Sequence, residues 1–517
     1  MRLILVVLAA LAGFSLASAL ALYSYGRFAE RAQGEPSFSL PVLEHGTPLD
    51  RLVAPLIKER PDQSGLRLVD GNLDAFAIRA LSARRAGRSL DLQYYIWDDD
   101  LTGRLLAREV VEAADRGVRV RLLLDDINAQ GHDRAHLALD QHPNIAVRLF
   151  NPSRNREGAL RRGIEMLLRA VSITRRMHNK AWIADGRLAV VGGRNIGDAY
   201  FDAAASANFR DLDVLLLGAA VRQAEIVFDD YWNSKAVIPI SALSKPRGTN
   251  LPEFRQALAD LIADAPARPY LNRVAEDETV RATLSGEGEI HWTANARVVS
   301  DPPEKVKGAG EENWLMNVTR PLLASATTEL EIISPYFIPG ETGTGELVAM
   351  AQRGIGVAIL TNSLAATDVT AVHGAYARYR EPLIEGGVHL FELKPYDAHS
   401  DVSLFGSSSA SLHTKAFTVD DRAGFIGSMN FDPRSVSLNS EMGVVFAHGG
   451  LVSEARAIFA DETSPRKSYR VAMADGEIIW QDHASQPVRI LREEPEASVW
   501  RRLTATIIGF LPIQSQL

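Results

Sequence analysis

The chain alternates two hydrophobic patterns over most of its length. Short apolar runs typical of buried strands, such as LDLQYYIW at 90–97, are followed by stretches with apolar residues every three to four positions that end at a glycine, such as Gly117. The same order returns about 240 residues later, where an apolar run from Leu330 precedes a helical pattern that ends at Gly354. Strands that alternate with helices predict an α/β fold, and the repeat predicts two duplicated α/β halves.

The repeat and the distribution of proline divide the chain into five predicted parts. A chain of 517 residues is too long for one ordinary core, which agrees with several units. We predict a first half over 45–240 and a second half over 311–465, joined by a proline-containing connector over 241–310. Residues 1–26 form an N-terminal membrane anchor or signal segment, and residues 466–517 form a tail with a possible amphipathic helix.

The amino end carries one apolar segment. The 24 residues between Arg2 and Arg27 contain no charge, which is enough for a helix across the roughly 30 Å hydrocarbon layer. The small-x-small triplets at 17–19 and 19–21 also fit a cleaved signal peptide. We favour a retained single span. Basic residues on both sides of the segment leave its orientation open.

Composition narrows the chemistry that the chain can perform. The absence of cysteine excludes disulfides, thiolate metal sites and cysteine nucleophiles, and leaves histidine, carboxylates, serine and lysine. A net charge of −8 argues against a nucleic-acid partner, which usually needs a basic surface. Lysine supplies only nine of the 56 basic residues, so a lysine within a motif carries extra weight.

One constellation of polar residues occurs twice, with matched positions that differ by 235. The intervening segments predict hairpins, in which the histidine and lysine share one face and the glycine-rich end of the partner strand returns beside them. Lysine and asparagine offer donors to an anion, so the pair of motifs favours a catalytic phosphate pocket. The members are His178, Lys180, Asp185 and Asn195 in the first copy, and His413, Lys415, Asp420 and Asn430 in the second.

These motifs resemble the phospholipase D superfamily, whose signature is H-x-K-x4-D followed by a glycine-rich strand with asparagine, twice per chain. The segments MHNKAWIADG, VGGRNIGDAYF, TNSLAATDV and GSMNFDPRSVSLNSEMG are similar to bacterial cardiolipin synthases of the C type. The resemblance runs from about residue 65 to the end, and it implies an active site at the junction of two halves. The family's serine is present as Ser428, whereas the first copy has Gly193 with Arg194 beside it, and we expect this pair to leave open space and a permanent cation beside the attacked phosphorus.

The resemblance implies a role for each motif residue. One histidine, expected to be His178, attacks phosphorus and becomes a phosphohistidine, while His413 protonates the departing alkoxide. The lysines and asparagines hold the non-bridging oxygens, and neither a metal nor another cofactor is expected. Asp185 and Asp420 either orient the site or share in proton transfer, or else they form the turns of the hairpins.

A neutral attacking imidazole also needs an acceptor for its second N–H. Glu441 matches the family's acid in this role, and Asp211 aligns with it, with Asp213 as a second choice. Asp125 and Asp126 end a predicted strand, where they are candidates for a supporting role at the pocket.

The resemblance implies a phosphatidyltransferase that makes cardiolipin from phosphatidylglycerol, with phosphatidylglycerol or phosphatidylethanolamine as donor. A hydrolytic phospholipase D or a membrane-associated phosphodiesterase or nuclease is the alternative, because both use the same histidines. We expect an anionic phospholipid membrane as partner, no nucleic acid, a complete site within one chain, and a place at the bacterial inner membrane.

Two further segments predict contact with lipid. Residues 154–176 carry seven arginines and two glutamates, and their apolar positions Leu160, Ile164, Leu167, Leu168 and Val171 form one helical stripe. Near the C-terminus, Val499, Leu503, Ile507 and Leu511 follow each other at spacings of four. In both cases the alternative is a helix that packs on the protein's own domain.

Overall fold

The computed structural model describes residues 1–43, 46–156, 158–205, 207–245, 250–263, 267–268, 271–272, 289–395, 410–511 and 514–516. Part of the predicted connector and Glu157, one of the two glutamates of the arginine-rich segment, lie outside the described residues.

The described residues form α-helices, β-strands and short 3₁₀ turns. The helices are α1 (Arg2–Ala32), α2 (Pro48–Lys58), α3 (Asn72–Arg85), α4 (Leu101–Asp115), α5 (Asp126–Ala129), α6 (Asp133–Asp140), α7 (Ala159–Leu168), α8 (Ala170–Ile173), α9 (Ala219–Trp232), α10 (Ile240–Leu243), α11 (Leu251–Ala263), α12 (Leu315–Ala324), α13 (Gly340–Gln352), α14 (Thr370–Tyr376), α15 (Arg380–Glu385), α16 (Pro433–Ser437), α17 (Gly449–Glu462) and α18 (Val499–Gly509). The strands are β1 (Ser64–Val69), β2 (Ser89–Tyr94), β3 (Arg119–Asp125), β4 (Ile145–Phe150), β5 (Ala181–Ala184), β6 (Leu188–Gly192), β7 (Asn208–Arg210), β8 (Asp213–Gly218), β9 (Val237–Pro239), β10 (His291–Thr293), β11 (Ala296–Ser300), β12 (Glu329–Ile333), β13 (Gly356–Asn362), β14 (His389–Leu393), β15 (Ala410–Leu412), β16 (Ala416–Val419), β17 (Ala423–Gly427), β18 (Met442–Phe446), β19 (Ser468–Ala474), β20 (Glu477–Asp482) and β21 (Arg489–Leu491).

Two mixed sheets of similar order confirm the predicted pair of α/β halves. The first sheet has the order β10-β1-β8-β6-β5-β2-β3-β4-β9, and the second has the order β11-β18-β17-β16-β12-β13-β14-β19-β20-β21. In each sheet three parallel strands, β2-β3-β4 or β12-β13-β14, pair with an antiparallel hairpin that carries the motif, β5-β6 or β16-β17. The hairpin therefore occupies the same place in both sheets.

The two halves share one apolar core where their sheets face each other. Ile183, Val191 and Val214 of the first half pack in one buried cluster with Ile426 and Val444 of the second. Because apolar burial is the main source of folding free energy, this shared cluster holds the halves together as one unit. The cleft between them is therefore a fixed part of the fold.

The segment predicted as a connector contributes strands to both sheets. β10 pairs with β1 in the first sheet, and β11 pairs with β18 in the second, only three residues later in the chain. The chain thus crosses from one half to the other between Thr293 and Ala296. The five-part division of the chain stays a prediction.

Backbone pairing also crosses between the halves beside each motif. β15, which ends just before His413, pairs in parallel with β7 of the first half. Met177, just before His178, forms a bridge with Ser440 of the second half, and the N–H of His178 donates to the carbonyl of Ser440 at 2.8 Å. Each histidine is therefore anchored to the opposite half.

The apolar N-terminal segment forms α1, the described helix that is long and apolar enough to cross a membrane, with a mean hydropathy of 2.5. Its carboxyl end packs on α7, where the Arg169 guanidinium lies 3.3 Å from the centroid of the Tyr25 ring and Arg154 lies 4.9 Å from that of Phe28.

The arginine-rich segment forms the two short helices α7 and α8, and most of its arginines bind within the protein. Arg156 pairs with Asp126 and Asp133, Arg169 pairs with Glu165 at 2.7 Å, and Arg176 pairs with Asp125 at 2.5 Å. Local acidic residues neutralise most of the excess charge that composition suggested.

Candidate active site

The two motifs meet in the cleft between the halves. His178 and Lys180 lie directly before β5, and His413 and Lys415 lie directly before β16, so both pairs stand where the motif hairpins begin. The two histidine residues are 8% and 6% exposed. The charge of His413 contributes to the pKa shift of His178, which reflects their proximity. One chain thus brings both histidines and both lysines together.

Each histidine is held by a carboxylate from the other half. His178 Nδ1 lies 2.8 Å from Glu441 Oε2, and His413 Nδ1 lies 2.5 Å from Asp211 Oδ2. Both carboxylates are buried. A carboxylate on Nδ1 fixes the ring and leaves Nε2 for chemistry, which is the arrangement that a histidine nucleophile or acid needs.

Glu441 stands in a network of hydroxyl donors. Ser428 Oγ donates to Oε2 at 2.5 Å, and Ser435 Oγ donates to Oε1 at 2.9 Å. The backbone N–H of Glu441 donates to Asp301 at 2.8 Å, and the buried ammonium of Lys305 donates to the same carboxylate at 2.9 Å. Sequence reasoning missed Asp301, Lys305 and Ser435. Lys305 had a usable signal, because lysine is rare in this chain.

Asp211 takes the space that a serine would need in the first copy. A Cβ placed at Gly193 would overlap the Asp211 carboxylate, so the missing hydroxyl of this copy is a steric consequence of the acid that holds His413. Arg194 does not stand beside the reacting phosphorus, which corrects our expectation. It is buried, donates to the Val69 carbonyl at 2.7 Å and lies 3.4 Å from Asp213, the second-choice carboxylate.

Both motif lysines are buried next to their own histidines. Lys180 Nζ donates to the His178 carbonyl at 2.8 Å, and Lys415 Nζ donates to that of His413. Burial lowers the pKa of Lys180 to about 7 and that of Lys415 to about 8. Each ammonium has two further N–H donors for an anionic substrate, and a phosphate in the cleft would itself favour the charged form.

The two asparagines have different surroundings. Asn195 accepts from the N–H of Ile96 at 3.1 Å and donates to the Tyr200 hydroxyl at 2.8 Å, so both ends of its amide are engaged. Asn430 Oδ1 is buried and has no hydrogen-bond partner within the described part of the chain. Asn195 is therefore placed to position Tyr200, whose ring packs edge-on against His413 at 5.2 Å.

Asp185 and Asp420 lie at the far ends of the hairpins, five residues beyond the lysines, or about 16 Å along a strand. Both adopt left-handed backbone angles, with φ of 55° and 52°. The Asp185 carboxylate accepts the N–H groups of residues 87–89, and the Asp420 carboxylate accepts those of residues 327–329. The structure thus favours turn formation over proton transfer for both.

Further residues support the histidines. The Tyr95 ring packs edge-on against His178 at 4.9 Å, and Phe209 packs against His413 at 5.0 Å. Asp125 accepts the N–H of Met177 at 2.8 Å and pairs with Arg176, which fixes the backbone just before His178. The sequence did not predict these aromatic contacts, because an aromatic residue in a strand-like run is usually interpreted as part of the core.

The clusters that could hold a metal ion within the described residues include neither His178 nor His413. One joins Glu289, His291 and Glu454. The other joins His373, Glu392 and Glu494, but the Arg380 guanidinium bonds to all three, so a cation already fills this position.

The electrostatic surroundings of the two histidines differ. Burial and the charges of Lys180, Lys415 and His413 hold the pKa of His178 well below its usual range. Burial and Lys415 also lower the pKa of His413, but Asp211 acts in the opposite direction. Burial raises the pKa of Glu441 to about 7, whereas for Asp211 the effect of burial is outweighed by His413 and Lys415, which lower its pKa.

Duplicated α/β halves that each bring a histidine and a lysine to one cleft define an enzyme of the phospholipase D type. The family model described as "Cardiolipin synthase, PLD-like domain" matches residues 81–232 and 320–462, and the chain belongs to this family.

Similar proteins agree with this assignment. The chain is 40% identical to cardiolipin synthase C of Escherichia coli over 473 residues, which cover 89% of this chain and 98% of that one. It is 24% identical to a cardiolipin synthase of Staphylococcus aureus over 380 residues, 73% of this chain and 63% of that one. The crystal structure of a phosphatidylserine synthase from Haemophilus influenzae superimposes with a TM-score of 0.56 at 14% identity, covering 90% and 99% of the two chains, which supports the fold.

Proposed function

We propose that the chain is a phosphatidyltransferase that makes cardiolipin by moving a phosphatidyl group onto the free hydroxyl of phosphatidylglycerol. The observation that carries the proposal is the pair of histidines, each held by a carboxylate of the opposite half, in a chain 40% identical to a cardiolipin synthase. Phosphatidylglycerol or phosphatidylethanolamine is the donor.

In the first step His178 Nε2 attacks the donor phosphorus. A P–N bond forms, the P–O bond to the departing alcohol breaks, and His413 Nε2 gives its proton to the leaving oxygen. In the second step His413 takes the proton of the incoming glycerol hydroxyl, whose oxygen attacks phosphorus as the P–N bond breaks. Lys180 and Lys415 meet the negative charge that grows on the non-bridging oxygens.

The assignment of His178 as nucleophile rests on its surroundings. Its low pKa favours the neutral ring, whose Nε2 lone pair can attack. His413 faces an acid whose own pKa is lowered, so Asp211 stays ionised and stabilises the imidazolium that must donate the proton. The difference between the carboxylates supports this proposed division of roles.

The membrane assignment follows the N-terminal helix. We propose that α1 is retained as a single span of the bacterial inner membrane, because its end packs on the catalytic domain through Tyr25 and Phe28. A cleaved signal peptide is the alternative. Mass spectrometry of the N-terminus of the mature protein distinguishes a retained span from a cleaved signal peptide.

The test uses purified full-length protein in vesicles of phosphatidylglycerol and phosphatidylethanolamine. Cardiolipin is the expected product, with release of glycerol or ethanolamine according to the donor. Phosphatidic acid as the main product would identify a hydrolase, and cleavage of added DNA would identify a nuclease. A His178→Ala/His413→Ala double variant is the control for contaminating enzymes.

A further inference from the structure

Two short segments expose apolar stripes in water. α7 and α8 present Leu160, Ile164, Leu167 and Val171, of which Val171 is 79% exposed. α18 presents Val499, Trp500, Leu503, Ile507 and Phe510, of which Phe510 is 86% exposed. Patches of large apolar side chains on a folded protein mark contacts with a membrane or another protein.

Both segments are already attached to the protein through their other faces. In the first, Arg169 bonds to Glu165 and to Asn151 Oδ1. In α18, the buried Ala505 lies against Gly374 of α14, and Arg501 donates to the carbonyl of Thr367. The stripes therefore point outward because the opposite faces are bound, which disfavours a helix that packs its apolar side on its own domain.

The first segment lies against the carboxyl end of α1, the proposed membrane span. The last turns of α1 contact α7, with the Tyr25 ring under Arg169 and the Phe28 ring under Arg154. Arg27 and Arg31 mark the charged end of the apolar segment, which belongs at the membrane surface. With α1 as the proposed span, this contact would place α7 at the depth of the lipid headgroups.

Both segments also border the catalytic cleft. α8 ends at Ile173, five residues before His178. Arg501 of α18 binds the carbonyl next to Asp368, whose charge acts on Lys415 in the site. Between them Arg434, four residues after Asn430, donates to the carbonyl of Thr174 at 2.6 Å and to that of Gln516 at 3.3 Å.

We propose that α7, α8 and α18 lie together in the interfacial layer of one anionic phospholipid leaflet, on either side of the cleft. The histidines then open onto the headgroups, and two phospholipids reach them laterally without leaving the leaflet. The leaflet is the occupant that the structure favours, because the patch is continuous with the span through α7. That the headgroups are also substrates rests on the proposed function.

The absence of cysteine allows a direct test on the full chain. Single cysteines replace Ile164, Leu167, Leu503 or Ile507, and each carries an environment-sensitive fluorophore. Gln352→Cys is the matched control. Gln352 is exposed and lies just before β13. The opposite end of this strand carries Asn362, which bonds to the backbone of Leu412 next to His413, so position 352 lies at the end of the strand away from the site. The labelled proteins are placed in nanodiscs of phosphatidylglycerol and phosphatidylethanolamine that hold one copy each.

We expect the fluorescence emission of the four labels to shift to the blue and to become protected from quenching by aqueous iodide. The label at position 352 should still be quenched. Iodide quenching at 503 and 507 would overturn the proposal for α18, and quenching at 164 and 167 would overturn it for α7. Protection that appears only in nanodiscs with two copies would identify a dimer face instead. Because these readouts need no turnover, they stand or fall independently of the cardiolipin assay.

A second measurement links the surface to catalysis. Leu503→Asn/Ile507→Asn should lower turnover of vesicle phosphatidylglycerol severalfold and leave turnover of the water-soluble diester bis(p-nitrophenyl) phosphate unchanged. Equal losses on both substrates would mean that the variant damages the site. No loss on vesicles would separate α18 from substrate capture and overturn the proposal.

Discussion

The two half-sites carry matched histidines, yet the carboxylates that hold them differ. Glu441 accepts hydroxyl donors from Ser428 and Ser435, and burial raises its pKa to about 7. Asp211 fills the place of a serine, and its neighbours lower its pKa in spite of burial. At neutral pH the carboxyl group of Glu441 is therefore close to its pKa, whereas the carboxylate of Asp211 is ionised.

In the proposed mechanism this difference divides two chemical roles between the copies of a duplicated motif. A nucleophile must stay neutral before attack, whereas an acid must hold a proton and give it up. The same H-x-K geometry serves both, because the partner acid and its neighbours set the charge of each ring. Variants that alter one half-site at a time therefore test the division of roles.

The largest effect is expected from removing either histidine. His178→Ala and His413→Ala should each lower turnover at least about a thousandfold, because one loses the covalent step and the other the proton transfer. A mixture of the two variants should stay inactive, since one chain holds the whole site. Substantial recovery on mixing would show a site formed between chains.

Labelled donor separates the roles. Wild-type protein is mixed with the labelled donor and the reaction is quenched without acid. Peptide mapping should then find the phosphatidyl label on His178. Label on His413 would reverse the assignment and leave the reaction class unchanged.

The next effect is expected from the carboxylates, which should respond differently to pH. As pH falls through about 7, Glu441 gains a proton. It then donates to Nδ1, so the ring hydrogen of His178 moves to Nε2, which loses the lone pair needed for attack. Wild-type turnover should therefore fall on the acid side of about 7, and on the alkaline side as Lys180 and Lys415, with pKa values of about 7 and about 8, lose their charges.

Glu441→Gln should lower the rate about a hundredfold to ten-thousandfold and remove the acid limb of the pH profile. Asp211→Asn should lower the rate but keep that limb, since the pKa of Asp211 is already low. An acid limb that survives in Glu441→Gln would assign it to another group.

The sequence predicted the parts of the site that repeat along the chain. The motif hairpins and the duplicated halves followed from matched spacing, and both acids, Asp211 and Glu441, followed from the family resemblance. It could not predict the direction of Arg194, which turns into the core toward Asp213, nor the approach of Lys305 and Asp301 to Glu441. Those contacts depend on how distant segments pack, and no spacing records them.

A smaller effect is expected from exchanging the residues at the matched serine position. Ser428→Gly removes one hydrogen bond to Glu441, worth about 1.5–3 kcal/mol for a charged acceptor, or roughly tenfold to a hundredfold in rate if it is fully expressed in the transition state. Gly193→Ser should cost more, because its Cβ would displace Asp211 from His413. Steady-state rates of both variants, with retained thermal unfolding midpoints as control, check this order.

The smallest effect on chemistry is expected from Asp420, the turn aspartate that the two hypotheses treat differently. Burial acts to raise the pKa of its carboxyl, but the N–H groups of Thr328, Glu329 and Thr327 outweigh burial and lower it. A lowered pKa means that the ionised carboxylate stabilises the folded state above its unfolded pKa of about 4, and that this contribution is lost as pH falls. Asp420→Asn should therefore lower the midpoint of thermal unfolding at pH 7, and the difference from wild type should shrink toward pH 3.

Turnover per folded molecule should not change, because the carboxylate lies about 16 Å along the strand from Lys415. Asp421→Asn is the matched control: this neighbouring side chain is 88% exposed, its ion pair with Arg456 is expected to contribute little, and the substitution should change neither quantity. A loss of turnover in Asp420→Asn with an unchanged unfolding midpoint would restore the catalytic interpretation of this aspartate.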